Sequence, residues 1–148
     1  MTADERWMRL ALAEAQLAAE AGEVPVGAVL VRGGELIARA HNLRETNRSA
    51  TAHAELLAIE AGCAALGGWR LSGCTLYVTL EPCPMCAGTI INARLPRLVY
   101  AAKDPRAGAF GSLLNLNAYP LNHRVDITAG VCGDEALALL RRFFASRR

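Results

Sequence analysis

The chain has 148 residues, 53% of them hydrophobic and 20% charged, with a formal net charge of +2. This length predicts a single domain over residues 1–148 whose core is large enough to form without disulfides. The small net charge neither requires nor excludes a nucleic-acid partner, and no apolar run approaches the ~18 residues of a membrane span.

The N-terminal segment carries too many charges for a secretory leader. Its apolar stretches are interrupted by four acidic residues, Asp4, Glu5, Glu14 and Glu20. Five cysteines in a chain without such a leader argue against a disulfide framework. We therefore expect a soluble, cytoplasmic protein.

The first predicted elements are a helix and a β-hairpin. Thr2 and Glu5 have the spacing of a capping box and Gly22 suits a helix end, which predicts an amphipathic helix between them. Two β-rich segments, VPVGAVLV and LIARA, then flank Gly33 and Gly34. This pattern is typical of a hairpin with a two-residue turn.

Helices and strands alternate along the rest of the chain. A helix is predicted from about Ala52 to Leu66 with Thr51 as its N-cap, and a short helix begins at Pro84. TLYVTL, RLVYAA and the segment around RVDITAGV are predicted strands, and Asp134 is the predicted N-cap of a closing helix. This alternation favours parallel pairing in the second half. The expected fold is α/β, with a mixed five-stranded sheet and helices on both faces.

Two titratable residues stand at the start of the second helix, in the stretch TAHAE. In mid-helix His53 and Glu55 would point about 200° apart and could not share a site. In the first turn they can, provided that the site lies beyond the end of the helix. His53 and Glu55 are therefore candidate residues of a site at that end.

A second candidate stretch, EPCPMCAG, carries Cys83 and Cys86. Their spacing of three places both sulfurs on one side of a helical turn. With Pro84 at the first helical position, both thiols also lie at a helix N-terminus, where the dipole favours thiolate over thiol. Two helix N-termini at one edge of an α/β sheet could converge on a single cation.

A single C-x-x-C motif also occurs in sites of two different kinds. It could be a redox pair that opens a helix after a strand, or half of a four-cysteine zinc ribbon. The ribbon requires a second C-x-x-C motif, which Cys63, Cys74 and Cys132 do not supply, and these three are predicted to be small core residues. A histidine at a helix start can likewise be an ordinary capping or exposed residue.

The two stretches together are more specific than either alone. One histidine and two cysteines give zinc three protein ligands and leave its fourth position for water, as in catalytic zinc sites. Glu55 is then a free carboxylate beside that water, which is a general acid/base arrangement. H-x-E followed by P-C-x-x-C is the signature of zinc-dependent nucleobase deaminases. The sequence thus predicts one catalytic residue, Glu55, and three zinc ligands, His53, Cys83 and Cys86.

The whole chain resembles the bacterial tRNA-specific adenosine deaminases, members of the cytidine-deaminase-like superfamily. The stretches EVPVGAVLV, HN at 41–42, TAHAE, EPCPMCAG and AFGSLLNL are shared in part with guanine deaminases. NHRV and RRFFASRR are more particular to the tRNA enzymes. The resemblance implies a three-layer α/β/α sandwich, one zinc ion per subunit and a homodimer whose partner borders each active site. It also implies that Asn42 hydrogen-bonds a flipped-out base.

The implied reaction is hydrolytic deamination of adenosine to inosine at the wobble position (34) of an arginine tRNA. Zinc would lower the pKa of its water towards ~7, and Glu55 would take the proton. Hydroxide would attack C6 of adenine, and Glu55 would return the proton to N1 as ammonia leaves. An anticodon loop makes the required unstacking of the base cheaper than a duplex would.

The C-terminal segment is a candidate RNA contact. Four of the last eight residues are arginines, at positions 141, 142, 147 and 148, with two phenylalanines between the pairs. Guanidinium groups on phosphates and rings against bases would suit RNA, although the arginines could equally solvate a helix end and the rings fill the core. The predicted substrate-binding residues are Asn42, Asp104, Arg141, Arg142, Phe143 and Phe144.

Two other functions are compatible with these residues. A guanine deaminase can use the same metal site on a free base, and a zinc-stabilised RNA-binding module would have no catalysis, leaving Glu55 incidental. The arginine-rich end favours the tRNA enzyme, because a deaminase of free bases has no need of an RNA surface.

Overall fold

The structure, a computed structural model that describes residues 1–147, consists of one sheet between two pairs of helices. In chain order its elements are α1 (Ala3–Glu20), β1 (Gly27–Arg32), β2 (Glu35–His41), α2 (Ala54–Leu66), β3 (Cys74–Leu80), α3 (Pro84–Asn92), β4 (Arg97–Ala102), β5 (Asp126–Ala129) and α4 (Gly133–Ala145). A short 3-10 helix, Leu116–Ala118, lies between β4 and β5. Within the described residues, no helix has both the length and the apolar character needed to cross a membrane.

The sheet is mixed and five-stranded, as the sequence predicts. Its strand order is β2-β1-β3-β4-β5. β1 pairs antiparallel with both β2 and β3, whereas the β3–β4 and β4–β5 pairs are parallel. The hairpin between β1 and β2 turns at Gly33 and Gly34, whose φ angles of +57° and +77° lie in the left-handed region that glycine adopts without strain.

Alternating side chains along the strands build a core on each face of the sheet. One core packs against α2 and α3 and includes Leu30, Leu76 and Leu98. The other packs against α1 and α4 and includes Val29, Tyr77 and Val99. The three central strands, β1, β3 and β4, are buried on both faces because helices cover both, which gives the three-layer sandwich.

The four segments that form the candidate site lie at one end of the strands, which is here called the sheet edge. β3 and β4 are parallel, so their last residues, Leu80 and Ala102, lie side by side. β1 runs in the opposite direction, and its first residue, Gly27, pairs with His41 at the end of β2. The segments that precede β1 and follow β2, β3 and β4 therefore meet at this edge, where α/β proteins commonly bind ligands.

The start of α2 differs from the prediction. Its N-cap is His53, not Thr51, and the helix begins at Ala54. The carbonyl of Ala52 accepts a hydrogen bond from the backbone N–H of Leu43 at 3.0 Å, so residues up to 52 belong to the loop rather than the helix. His53 thus stands just outside the first turn, and only Glu55 lies within it.

The other predicted helix starts are confirmed except for one. The side chains and backbones of Thr2 and Glu5 form the expected capping box, and Pro84 opens α3. The N-cap of α4 is Cys132, with φ at +58°, rather than Asp134. The carbonyl of Cys132 accepts the first helical hydrogen bond, so Asp134 lies inside the first turn, where its charge complements the helix dipole.

Candidate active site and metal centre

Three side chains with metal-ligand chemistry meet at this edge of the sheet. Nδ1 of His53 lies 3.7 Å from Sγ of Cys83 and 3.5 Å from Sγ of Cys86. The three donor atoms all lie within 4.8 Å of one another. A tetrahedral zinc ion, with bonds of about 2.0 Å to nitrogen and about 2.3 Å to sulfur, separates such ligands by about 3.5 Å. The donor set and its spacing therefore fit a zinc ion.

The backbone explains why these side chains can reach one point. His53 and Cys83 are the N-caps of α2 and α3, with extended backbone at ψ 150° and 172°. Their carbonyls accept the first helical hydrogen bonds, but neither side chain caps its own helix. Both side chains are thus available for a ligand beyond the helix ends, and Cys86 joins them from the first turn of α3.

One of the three candidate ligands, Cys83, has a charge state that suits cation binding. Hydrogen bonding from the Cys86 thiol, together with that from His53, lowers the pKa of Cys83 to about 4. Cys83 is therefore a thiolate at neutral pH, which is the form that ligates metals.

Glu55 lies in the first turn of α2 and is only 4% exposed. Burial raises the pKa of its carboxyl group to about 7. A group with a pKa near the working pH both takes up and releases protons readily, which is the requirement for general acid/base catalysis. His53 and Glu55, predicted together from TAHAE, therefore lie at the same site with different chemistry.

His53, Glu55 and Cys83 line a cavity of about 230 Å³, here called the inner pocket. Each of the four segments at the sheet edge contributes to its walls. These wall residues are Val24 and Val26 before β1, Asn42 and Arg44 after β2, Leu80 and Glu81 at the end of β3, and Asp104 and Ala107 after β4.

Asn42 is buried in the wall of the inner pocket and is held there by two hydrogen bonds. Its Nδ2 donates to the carbonyl of Val24 at 3.2 Å, and its Oδ1 accepts from the backbone N–H of Arg44 at 3.1 Å. A carboxamide has two donor hydrogens and two acceptor lone pairs, so one of each is left for a ligand.

A larger cavity of about 930 Å³, here called the outer groove, adjoins the inner pocket and shares Val24, Leu80 and Asp104 with it. Its other lining residues include three cations and an aromatic ring, namely Lys103, Arg106, Arg141 and Phe144. The ring of Phe144 is 51% exposed. The structure therefore brings Asp104, Arg141 and Phe144 together at the mouth of the inner pocket.

Arg142 and Phe143 line neither the inner pocket nor the outer groove, although the rings of Phe143 and Phe144 meet edge to face with their centroids 5.4 Å apart. Arg142 and Phe143 line a cavity between α1 and α4, where Phe143 is buried and the guanidinium of Arg147 lies 4.5 Å from its ring centroid. Helix periodicity explains why Arg141 and Phe144 line the same cavity, because residues three apart lie on one face of a helix. The contact of Arg142 and Phe143 with substrate stays a prediction that neither the inner pocket nor the outer groove supports, and Arg148 lies outside the described residues.

Two buried carboxylates near the site do not stand out in the sequence. Glu23 is 1% exposed and Glu81 is 2% exposed. Glu23 accepts hydrogen bonds from the backbone N–H groups of Glu45 and Thr46, at 3.1 and 2.6 Å, in the loop that follows β2. The local sequence signal for Glu23 is its position directly after Gly22, and the signal for Glu81 is its position directly after the apolar run of β3.

The comparison with known families agrees with this site. The model of one family, described as MafB19-like deaminase, matches residues 2–148. The chain belongs to this deaminase family. This deaminase is 52% identical over 149 residues to the tRNA-specific adenosine deaminase of Bacillus subtilis (strain 168), covering 100% of this chain and 92% of that protein.

Solved structures show the same fold. One, from a study of A-to-I editing by tRNA:A34 deaminases at the wobble position of transfer RNA, has a TM-score of 0.89 and 46% identity, covering 91% of this chain and 99% of that one. A guanine deaminase from Nitrosomonas europaea has a TM-score of 0.82 and 30% identity, covering 98% of this chain and 86% of that one. The predicted cytidine-deaminase-like sandwich and the resemblance to tRNA-specific adenosine deaminases are both confirmed.

Proposed function

We propose that this chain, as a single deaminase domain over residues 1–148, converts adenosine to inosine at the wobble position (34) of an arginine tRNA and releases ammonia. The observation that carries the proposal is the cluster of His53, Cys83 and Cys86 beside the buried carboxylate of Glu55. The similarity to tRNA-specific adenosine deaminases supports tRNA as the substrate.

The proposed mechanism assigns the proton transfers to Glu55. One zinc ion per subunit, held by His53, Cys83 and Cys86, would supply a water molecule of lowered pKa. Glu55 would take one proton from the attacking water and deliver it to N1 of adenine. It would then pass the second proton, from the hydroxyl group formed at C6, to the departing amine, so that ammonia leaves and the C6 carbonyl forms. Because burial raises the pKa of Glu55 to about 7, its carboxyl group can perform both the uptake and the release.

The proposed substrate path runs from the outer groove to the inner pocket. The adenine base enters the inner pocket, where the free donor and acceptor of Asn42 are available to it. The neighbouring nucleotides follow the outer groove, with Lys103, Arg106 and Arg141 near phosphates and Phe144 stacked on a base. An unstacked loop nucleotide fits such a path better than a base in a duplex.

The proposed assembly is a homodimer in the cytoplasm, where tRNA substrates are found. A partly apolar surface near the end of α3 supports the dimer. Trp69 is 56% exposed and lies under the guanidinium of Arg94, which is 5.7 Å from the ring centroid. Arg94 in turn lines a surface cavity with Leu121, which is 46% exposed. A second copy of the chain would bury these side chains.

One assay tests the proposed function against the two alternatives. The protein is incubated with an arginine tRNA bearing an ACG anticodon and, separately, with free guanine, and inosine and xanthine are measured. Inosine at position 34 without xanthine supports the proposal. Xanthine alone would identify a guanine deaminase, whereas tRNA binding without either product would identify a non-catalytic RNA-binding module.

A further inference from the structure

Glu81 is a buried carboxylate that has no part in the proposed proton transfers. It follows β3 directly and is 2% exposed. A buried carboxylate is costly unless it is hydrogen-bonded, so its partners indicate what it does.

All partners of the Glu81 carboxylate lie in one segment, the 103–112 loop that follows β4. Oε1 accepts from the backbone N–H of Asp104 at 3.1 Å and from the hydroxyl of Ser112. Oε2 accepts from the backbone N–H groups of Phe110 and Ser112, both at 3.1 Å. The loop therefore folds around this one side chain.

Gly108 shows how closely the loop surrounds the carboxylate. A Cβ atom added at this glycine would lie 2.3 Å from Cδ of Glu81 and 2.4 Å from its Oε2. A larger residue at position 108 would displace the Glu81 carboxylate from its hydrogen bonds, so the contact depends on Glu81 and Gly108 together.

The same loop supplies walls to both cavities. Asp104 and Ala107 line the inner pocket, and Lys103, Pro105 and Arg106 line the outer groove. We propose that Glu81 is a positioning residue that holds the 103–112 loop in the shape that receives the substrate. This inference rests on the proposed function, since it assigns the loop to tRNA binding rather than to the chemistry.

The chemistry of the partners makes glutamine a sharp test. All four groups that face Glu81 donate hydrogen bonds, and an ionised carboxylate only accepts them. Glu81→Gln keeps the size of the side chain, but in either orientation its NH2 group faces at least one backbone N–H, which cannot accept a hydrogen bond. The loop should loosen although the packing volume is unchanged.

The first readout is amide hydrogen exchange, which needs no substrate. In Glu81→Gln, the amides of the 103–112 loop should exchange at least ~10-fold faster than in the wild type. Glu23→Gln is the matched control, because it removes a buried carboxylate whose partners lie in the loop after β2. It should speed exchange around residues 45–46 and leave the 103–112 loop unchanged.

The second readout separates KM from kcat on tRNA. Glu81→Gln should raise KM by at least ~10-fold, with kcat within about 3-fold of the wild type and zinc content unchanged. Gly108→Ala should have a similar effect, and the double variant should be much less than additive, since both changes act on one contact. By contrast, the effects of Gly108→Ala and Glu23→Gln on KM should be additive when the two are combined, because they act on different contacts.

Several outcomes would overturn the inference. An unchanged KM with only a lower unfolding temperature would make Glu81 purely structural, and loss of zinc with a fall in kcat would assign it to the metal centre. If Glu81→Gln does not fold, Ser112→Ala is the substitute test, because it removes a single hydrogen-bond donor to Glu81. A smaller increase in KM and in loop exchange would support the inference, and no change in either would refute it. A wild type that does not deaminate tRNA refutes the proposed function, whereas unchanged loop exchange in Glu81→Gln refutes the role of Glu81.

Discussion

Nδ1 of His53 and Sγ of Cys83 lie 3.7 Å apart although the residues are separated by 30 positions in the sequence, and each residue is the N-cap of its own helix. The candidate metal centre is thus assembled from the ends of two helices rather than from one loop. Since α2 and α3 both pack on the same core, the fold itself sets the distance between the ligands.

Loss of either cysteine ligand should remove the metal and the activity together. Purified wild-type protein should contain about one zinc per chain, and Cys83→Ala or Cys86→Ala should contain little, because two protein ligands hold zinc poorly. Elemental analysis and the tRNA assay measure the two effects. The control is Cys63→Ala, which alters a half-buried cysteine packed against the core. This variant should keep both its zinc and its activity. Full activity of metal-stripped protein would refute the metal centre.

Glu55→Ala should separate catalysis from metal binding. The carboxylate is assigned no bond to the metal, so the variant should keep its zinc while kcat falls by at least ~10²-fold, the lower end for a lost general acid/base. Zinc content and single-turnover rates on tRNA check this. A variant that loses its zinc would show that Glu55 is a ligand.

The two faces of α4 should differ in their effect on tRNA binding. Arg141→Gln should weaken tRNA binding and flatten the slope of log K against log salt by about 0.7, the contribution of one phosphate contact on a single strand. Phe144→Ala should weaken binding by about 1–3 kcal/mol if the ring stacks on a base.

Arg142→Gln is the matched control for the outer groove, because Arg142 lines the cavity between α1 and α4. It should leave the tRNA affinity and the salt slope unchanged, with thermal stability followed in parallel. Equal effects of Arg141→Gln and Arg142→Gln would mean that the outer groove does not direct the RNA.

The contact between Asp4 and Arg97 should make stability depend on acid pH. Arg97 donates two hydrogen bonds to Asp4, at 2.9 and 2.7 Å, and these lower the pKa of Asp4 below its ordinary 3.8. A depressed pKa adds stability that is complete above pH 3.8 and is lost as the pH falls through the lower, folded-state value. The hydroxyl of Tyr77 also donates to Asp4, at 2.7 Å.

Asp4→Asn should therefore lower the free energy of unfolding at pH 7 by about 1–2 kcal/mol, in line with hydrogen bonds to a charged group that is partly exposed. The difference from the wild type should shrink as the pH falls below about 4. Urea unfolding between pH 2.5 and 7 measures it. The exposed pair of Arg9 and Glu135 is the control, and Glu135→Gln should change stability by less than about 0.5 kcal/mol at any pH. A constant difference for Asp4→Asn across this range would rule out the linkage.

Removing the exposed apolar surface near α3 should break the proposed dimer. Leu121→Arg places a charge where a second copy would bury a leucine, so the variant should be monomeric by light scattering at concentrations where the wild type is dimeric. Leu36→Arg, at an exposed leucine in β2, is the control and should remain dimeric. A monomeric wild type would contradict the proposed assembly.

Sequence patterns identify the chemistry because its residues stand at helix starts with fixed local spacing. His53, Glu55, Cys83 and Cys86 are recognisable within two short stretches, and the hairpin and the strand boundaries follow from local periodicity. The same patterns misplace the start of α2, because a distant residue, Leu43, hydrogen-bonds the carbonyl of Ala52, which would otherwise accept a hydrogen bond within the first turn of the helix.

Long-range contacts explain the remaining omissions. The role of Glu81 depends on a loop that begins more than 20 residues later, so the stretch TLEPC alone does not reveal it. The separation of Phe143 from Phe144 depends on the rotation of α4 relative to the sheet, since composition alone treats the two rings alike.

The arrangement at the sheet edge divides the chain into two kinds of segment. The proposed metal ligands and acid/base group all lie within residues 53–86, whereas Asn42 precedes this span in the sequence and Arg141 and Phe144 follow it. Substitutions in the flanking segments can therefore alter which nucleic acid is accepted while the reacting groups keep their geometry. In such a fold, substrate preference can change through substitutions in the flanking segments. Protein engineers can likewise vary those segments and leave the reacting groups unchanged.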